Sequence, residues 1–437
     1  MKPVISAAAL LCLLFVHVNL AAQGMSATDA YRVKAMLKNT YDTVKRYYYD
    51  PKFKGIDLDA RYREYDEKIK TASSLNAGVT LIAAFLDGFK DSHTYFSPPS
   101  RPYQIDYGYR LAMVGDDAFI VRVRPETDAA TKTVPGDRVL AVNGAPVARE
   151  SMASMNYFFG VLAPQPSVRL TLRAPDGAQR EVTVATKVKS GRALWDISDA
   201  SSGVDLADLI RDEESSDQLL AHRYIDSGGV MIWKMPIFNL ANAEVDKMIG
   251  LARKQQALII DMRGNPGGLV DTLRRIVSNL FDRDVVIADR VGRKGREQVD
   301  AKTRGGSAFT GKLVVLVDSG SGSAAEVLAR VVQLEQRGTV VGDRSAGAVM
   351  EARQYPFALG DEVYVFYGVA VTSADLIMKN GKSLEHAGVT PDEVVLPTPA
   401  DLAAGRDPAL ARAEALAGVQ IDAAAAGKLF PFQWRKF

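Results

Sequence analysis

Leu313-Val314-Val315-Leu316-Val317-Asp318-Ser319-Gly320-Ser321-Gly322-Ser323-Ala324-Ala325-Glu326 is where the chain's architecture is easiest to read. Leu313 to Val317 is an unbroken apolar run bounded by turn residues, as expected of a strand buried on both faces. The Ser/Gly run cannot extend it, and Ala324 to Leu334 resumes with helical spacing. A serine between the two faces the free amides of a helix N-terminus, which stabilise developing negative charge. Ser323-x-x-Glu326 is equally a capping box, in which the hydroxyl only closes the first turn.

The same strand–turn–helix unit recurs outward from this stretch. Val230 to Trp233 and Leu258 to Asp261 read as strands, Asn242 to Arg253 and Leu269 to Phe281 as helices, and Thr339 to Val341 as a strand. This rhythm gives an α/β layer with parallel pairing. Ile259-Ile260-Asp261-Met262-Arg263-Gly264-Asn265-Pro266-Gly267-Gly268 leaves a strand through a glycine turn whose amides no Cβ obstructs, suited to an oxyanion hole or to tight packing. It has neither a Walker lysine nor G-x-G-x-x-G, so no nucleotide site is expected. The alanine-rich stretch from Ala400 to Gly418 reads as a helical tail.

Upstream the pattern changes twice. Ser26 to Phe89 is helical, with Tyr31, Val33, Met36, Leu37, Tyr41, Val44 and Tyr48 at three- and four-residue spacing. Ser97-Pro98-Pro99-Ser100-Arg101-Pro102 marks a boundary. Ala118 to Val123, Val168 to Leu172 and Glu181 to Thr186 then read as strands, with turns at Pro135-Gly136-Asp137 and Asn143-Gly144. The segment Pro135-Gly136-Asp137-Arg138-Val139-Leu140-Ala141-Val142-Asn143-Gly144 resembles PDZ domains, which bind chain termini by strand addition. That resemblance implies a peptide-binding strand, with Gly108, Tyr109, Arg110 and Leu111 as its carboxylate turn.

Residues 1–22 stand apart. Lys2, the apolar run Val4 to Leu20 and Leu20-Ala21-Ala22 read as a cleaved secretory signal, with an uncleaved anchor as the alternative. Cleavage would remove the single cysteine, Cys12, one of 54 basic residues and none of the 52 acidic ones. The mature chain would thus lack thiol chemistry and disulfides. A net charge of +2 offers no footprint for nucleic acid or an anionic membrane, and 47% apolar residues describe an ordinary globular protein.

Histidine can be treated by elimination. Beyond the leader only His93, His222 and His386 occur, and without motif spacing they do not make a metal site. Taken singly, each reads as a surface or satisfied side chain.

In sequence order, several segments together resemble the carboxyl-terminal processing and tricorn-type serine proteases: Leu86-Asp87-x-x-x-Asp91-Ser92-His93-Thr94, the PDZ segment, Asp261-x-Arg263-Gly264-Asn265-Pro266-Gly267-Gly268, Ser321-Gly322-Ser323-Ala324-Ala325-Glu326, Val341-Gly342-Asp343 and Leu384-Glu385-x-x-Gly388-Val389-x-Pro391-Asp392. The resemblance implies a multidomain α/β protein. Its parts are a signal (1–22), a helical domain (26–100), a PDZ domain (104–190), a ClpP/crotonase-like protease core (191–400) and a helical tail (401–437). The processing branch uses a serine–lysine dyad, but the lysine's place falls on Ala348, and no lysine occurs between Lys312 and Lys379. Either the site is silent or another base serves. The tricorn branch supplies one: the resemblance puts Ser323 as nucleophile, His93 as base, Glu385 as acid and Ser92 as the link between them. Ala324 and Gly267 or Gly268 would be the oxyanion donors.

The expectation is an exported serine peptidase, periplasmic or secreted, acting on peptides or proteins with no cofactor, metal, nucleic acid or membrane partner. A silent peptide-binding relative and a hydrolase of non-peptide esters or amides are the alternatives.

Overall fold

The computed structural model describes residues 25–101, 103–190, 221–360 and 364–434. The expected leader (1–22) and residues 191–220 at the start of the expected core lie outside the described residues. Among the described residues no helix is long and apolar enough to cross a membrane.

The N-terminal unit is three helices, α1 (Ala27–Tyr47), α2 (Leu58–Lys70) and α3 (Leu75–Asp87). Side chains of Ser26, Asp57 and Ser74 cap their first turns, as those residue types do at N-caps. The periodic apolar residues Val33, Met36, Leu37 and Val44 are buried against Ile82, Phe85 and Phe89.

After β1 (Tyr95–Ser97) and β2 (Tyr103–Asp106) comes a second unit. It contains β3 (Tyr109–Val114), β4 (Asp117–Val123), α4 (Asp128–Lys132), β5 (Arg138–Val142), β6 (Ala145–Pro146), α5 (Arg149–Tyr157), β7 (Ser167–Arg173) and β8 (Gln179–Ala185). Its sheet runs β3-β4-β5-β7-β8, antiparallel, with β6 on β5, so β3 is an edge. Strand β9 (Lys187–Ser190) pairs with β2 to form a two-stranded neck.

The third unit contains β10 (Arg223–Ser227), β11 (Val230–Lys234), α6 (Asn242–Ala252), β12 (Ala257–Asp261), α7 (Val270–Leu280), β13 (Val285–Gly292), β14 (Gly295–Ala301), β15 (Lys312–Val317), α8 (Ala324–Leu334), β16 (Thr339–Gly342), β17 (Met350–Leu359), β18 (Val365–Met378) and β19 (Glu393–Val394). One sheet has the order β10-β11-β12-β15-β16-β19, parallel except for β10. Its period-two alternation divides two cores. Leu258, Ile260, Leu313 and Val315 face α6, α7 and α8, whereas Ile259, Val314 and Leu316 face Ala409, Leu410 and Ala413. Those alanines belong to α10 (Pro408–Ala417), which follows α9 (Pro399–Ala404) and precedes α11 (Ala423–Leu429). The alanine-rich tail is therefore a covering layer of the core sheet. It is broken at left-handed Gly405, and Pro408 restarts it.

A second sheet, not foreseen from the sequence, positions the site. Strand β18 pairs with β17 along one edge. Its other edge is shared by β1, opposite Gly368 to Ala370, and by β13, opposite Ala374 to Met378. The chain that leads into β1 thus arrives beside Thr372, between those two pairings. Alternate residues Val365, Tyr367, Val369 and Val371 pack into the helical unit's core.

Candidate active site

Ser323 sits where β15 turns into α8, and its backbone is unusual. A serine at φ 53°, ψ −120° occupies a region that L-residues avoid and that surrounding contacts must enforce. Those contacts are present. Asp318 Oδ1 accepts from Gly264 N at 2.8 Å and Gly320 N at 2.9 Å, while Ser321 Oγ donates to Met262 O at 2.8 Å. Gly322 N donates to Asn265 O at 2.8 Å, and Ser323 N to Ala348 O at 2.8 Å. The capping box is only half formed. Glu326 Oε2 accepts the Ser323 N–H at 3.0 Å, but Ser323 Oγ makes no bond to the helix's first turn.

The glycine turn lies against this serine. A Cβ at Gly267 would come 2.6 Å from Ser323 Cβ and 2.9 Å from Ala324 N, and Gly267 has φ 101°. A Cβ at Gly268 would meet Phe238 O at 2.3 Å. The two candidate amides differ. Gly267 N already donates to Asn265 Oδ1 at 2.8 Å. Gly268 N and Ala324 N have no hydrogen-bond partner among the described residues.

Ser92, His93 and Glu385 are brought together. Glu385 accepts from Ser92 N (2.7 Å, Oε1), Ser92 Oγ (2.9 Å, Oε2) and Val349 N (2.8 Å, Oε2). Ser92 Oγ lies 2.7 Å from His93 Nδ1. Because Ser92 Oγ–H is spent on the carboxylate, the network assigns the imidazole proton to Nδ1, donating to Ser92 Oγ, and leaves Nε2 as a lone pair. Burial holds the His93 imidazole below its ordinary value, with Glu385 and Asp91 pulling the other way. No hydrogen bond joins His93 to Ser323 among the described residues. The link is the loop: Ala348 O holds Ser323 N, and Val349 N holds Glu385.

Three features were not apparent from the sequence. Asp91 fixes the Ser92-His93 turn, accepting from Thr94 N (2.7 Å), His93 N (3.2 Å), Thr372 Oγ1 (2.8 Å) and Tyr48 OH (2.7 Å). Glu326, fully buried, accepts from Ser345 Oγ (2.6 Å), Gly347 N (2.8 Å), Ala348 N (2.9 Å) and Ser323 N. Burial pushes its carboxyl up despite those four donors. Asp343 receives Arg149 from α5 and Gly115 N from the β3–β4 turn, both at 2.9 Å.

The remaining histidines lie outside this hydrogen-bonded group. His222 Nδ1 accepts from Trp233 Nε1 at 3.2 Å, with Nε2 3.0 Å from Asn239 Oδ1. His386 Nε2 lies 2.8 Å from Lys90 O. The expected carboxylate turn is also partly engaged. Gly108 N donates to Asp106 Oδ1 at 2.8 Å, so an internal carboxylate stands where a terminal one was expected. Tyr109, Arg110 and Leu111 begin the edge strand β3.

Comparison with known proteins finds similarity to two protein families. Residues 228–395 match Peptidase family S41, and residues 30–83 match the Tricorn protease C1 domain. The chain is similar to a carboxyl-terminal-processing protease of Synechocystis, 37% identical over 138 residues, which are 31% of this chain and 30% of that protein. It is 26% identical over 402 residues to a tricorn protease homolog of Streptomyces coelicolor, 86% of this chain and 31% of the relative. The chain therefore spans about a third of the length of these curated relatives. Its fold is similar to that of mature CPAF complexed with lactacystin, with TM-score 0.62 and 17% identity over 86% of this chain and 96% of that one. The likeness to Peptidase family S41 thus falls on the core sheet unit, and the likeness to the Tricorn protease C1 domain on the N-terminal helices.

Proposed function

We propose that this chain is a serine peptidase that cleaves peptides or proteins through an acyl-enzyme. Ser323 is the nucleophile, His93 the base, and Glu385 the acid acting through Ser92. The observation that carries the reading is the relay from His93 Nδ1 through Ser92 Oγ to Glu385, tied by Val349 and Ala348 to a strained serine whose hydroxyl is uncommitted.

The chemistry follows from those groups. A serine hydroxyl needs a base at neutral pH, and a half-buried, neutral His93 is one. As Ser323 Oγ attacks the scissile carbonyl carbon, its proton passes to Nε2. Imidazolium charge is then met by Ser92 and Glu385. The carbonyl oxygen, now an oxyanion, accepts from Ala324 N and Gly268 N, since Gly267 N is engaged. His93 returns the proton to the leaving amine as the C–N bond breaks. Water, deprotonated by the same nitrogen, then releases the acyl group and regenerates Ser323. His93 must close onto Ser323 for this, and catalytic hydrogen bonds commonly tighten only with substrate present.

Residues 104–190 act as a PDZ-like module in this reading. The open edge of β3 takes an extended substrate strand, and main-chain bonds supply affinity. Because Asp106 fills the Gly108 amide, strand addition is favoured over capture of a terminal carboxylate by that amide. The leader-like residues 1–22 support export to the periplasm or beyond.

The test is labelling by a fluorophosphonate probe of wild type, Ser323→Ala and His93→Ala. Loss of labelling in both variants is expected. Labelling that survives His93→Ala removes the base assignment, and none in the wild type favours a silent peptide-binding protein.

A further inference from the structure

A cavity of about 750 Å³ lies between the segment Tyr95–Pro99, the neck and start of the β3 sheet, and the C-terminal segment. That volume is typical of ligand sites. Its wall carries Tyr95, Tyr103, Tyr107, Tyr109 and Tyr157, and Trp434 closes one side. Arg101, Arg110 and Arg124 add guanidinium groups to the same wall. None of the machinery assigned above enters it, apart from the first residues of β3.

The chain's own C-terminal segment shows what this wall holds. On the wall itself the Trp434 ring lies 4.7 Å from the Arg124 guanidinium; beside the cavity the Phe432 ring lies 5.8 Å from Arg122. The two rings meet edge to face, 5.1 Å apart. Phe430 lies 5.7 Å from Arg223 of β10, so the segment runs from the core sheet onto the β3–β4 unit through successive aromatic–guanidinium contacts. The contacts are shallow. Phe432 is 43% exposed and Trp434 partly so, and at exposed sites each such contact shifts an equilibrium only about two- to five-fold. A segment held so lightly exchanges with a competitor of the same chemistry.

We infer that this cavity is a docking site for peptide segments bearing aromatic side chains, and that Trp434 covers Arg124, one of its guanidinium groups, as a tethered competitor. It is a site apart from strand addition on β3, since the ligand's rings, and not its main chain, make the contacts. Its use in recruiting substrate rests on the proposed peptidase function; the binding does not.

The experiment uses the full chain as Ser323→Ala, so that nothing is turned over, and a fluorescently labelled Pro-Phe-Gln-Trp peptide. Phe432→Ala with Trp434→Ala removes two few-fold contacts. The peptide should then bind about ten-fold more tightly than to the parent. Adding Tyr103→Ala, or Tyr95→Ala should that variant fail to fold, should abolish the gain. A peptide with alanine for both aromatics should not bind. Equal binding with and without the tail aromatics, or equal binding of the control peptide, overturns the inference. Failed binding beside intact fluorophosphonate labelling of the wild type rejects only this site, and the converse rejects only the peptidase reading.

Discussion

Arg149 and Asp343 join the β3–β4 unit to the loop that holds the candidate site. Arg149 Nη2 lies 2.9 Å from Asp343 Oδ2, with both side chains about nine-tenths buried. Arg149 also donates to Gly115 O and, at 3.0 Å, to Arg344 O. Ser319 Oγ donates to Met113 O of β3 at 2.7 Å, a second tie between that strand and the Ser323 loop. Two residues beyond Asp343 begins the stretch that bonds to Glu326, Ser323 and Glu385. A substrate strand on β3 would thus bear on both sides of the serine. Arg149→Ala leaves a nearly buried carboxylate without its cation, a loss on the order of 3 kcal/mol. Fluorophosphonate labelling should slow about ten-fold or more, while circular dichroism reports an intact sheet. Unchanged labelling would show that the two units are not coupled through this pair.

The pH dependence of labelling should report His93. The proposed base works only when neutral, and burial holds its imidazole below the ordinary 6.5. The rate should therefore persist below pH 6.5 and fall only as pH drops through the lowered value. The folded state resists that proton while the unfolded chain accepts it, so this group's share of stability is present above 6.5 and lost on further acidification. Glu385 raises the imidazole's affinity for its proton. Glu385→Gln should then move the acid limb to lower pH and cut the plateau rate by about 10² or more. A limb moving upward would mean that another group is being read.

Gly267 offers a steric test. Alanine there places a methyl carbon 2.6 Å from Ser323 Cβ, at φ 101°. Gly306, where an added Cβ meets nothing within 4 Å, serves as the control. Gly267→Ala should cost about 2–4 kcal/mol in thermal or denaturant unfolding. Labelling should fall to background even where the variant is still folded. Gly306→Ala should leave both within error. A Gly267→Ala enzyme that labels normally would contradict the close approach of the two turns.

What the sequence made legible were features with a local physical signature. The buried runs at Leu258 and Leu313, the Ser/Gly break before Ala324, and the Pro135-Gly136 and Asn143-Gly144 turns each leave their mark in composition. Ser92, His93 and Glu385 became a group only through several motifs in one order, because 293 residues separate Ser92 from Glu385. The β1–β18 and β13–β18 pairings are non-local and have no local signature; the β17–β18 hairpin does, since Val365, Tyr367, Val369 and Val371 alternate as a half-buried strand does. Glu326 illustrates the opposite failure. Its spacing from Ser323 reads as a helix cap, and it does accept that residue's N–H, but its larger role depends on Ser345 to Ala348, which no helix pattern reveals.

Glu326→Gln separates stability from activity at this hub. Each carboxylate oxygen accepts two donors: Ser345 Oγ and Gly347 N at Oε1, Ser323 N and Ala348 N at Oε2. A glutamine has one acceptor oxygen, so its NH₂ faces either Ser323 N and Ala348 N, or Gly347 N and the Ser345 hydroxyl, which can turn to accept. Losing those bonds costs about 1–3 kcal/mol each, but the substitution also relieves the buried charge that pushes the carboxyl up. The opposed effects should leave net stability at pH 7 within about 2 kcal/mol of wild type. Because the raised acid takes up its proton in the folded state before the unfolded one, its contribution is full below the ordinary carboxylate range and lost as pH rises through the folded value. Acidification should therefore raise the wild type relative to Glu326→Gln in melting experiments. Labelling, in contrast, depends on where Ser323 and Ala348 are held, and should fall about 10²-fold at neutral pH. Equal labelling of the two proteins would reduce Glu326 to the helix cap that its spacing first suggests.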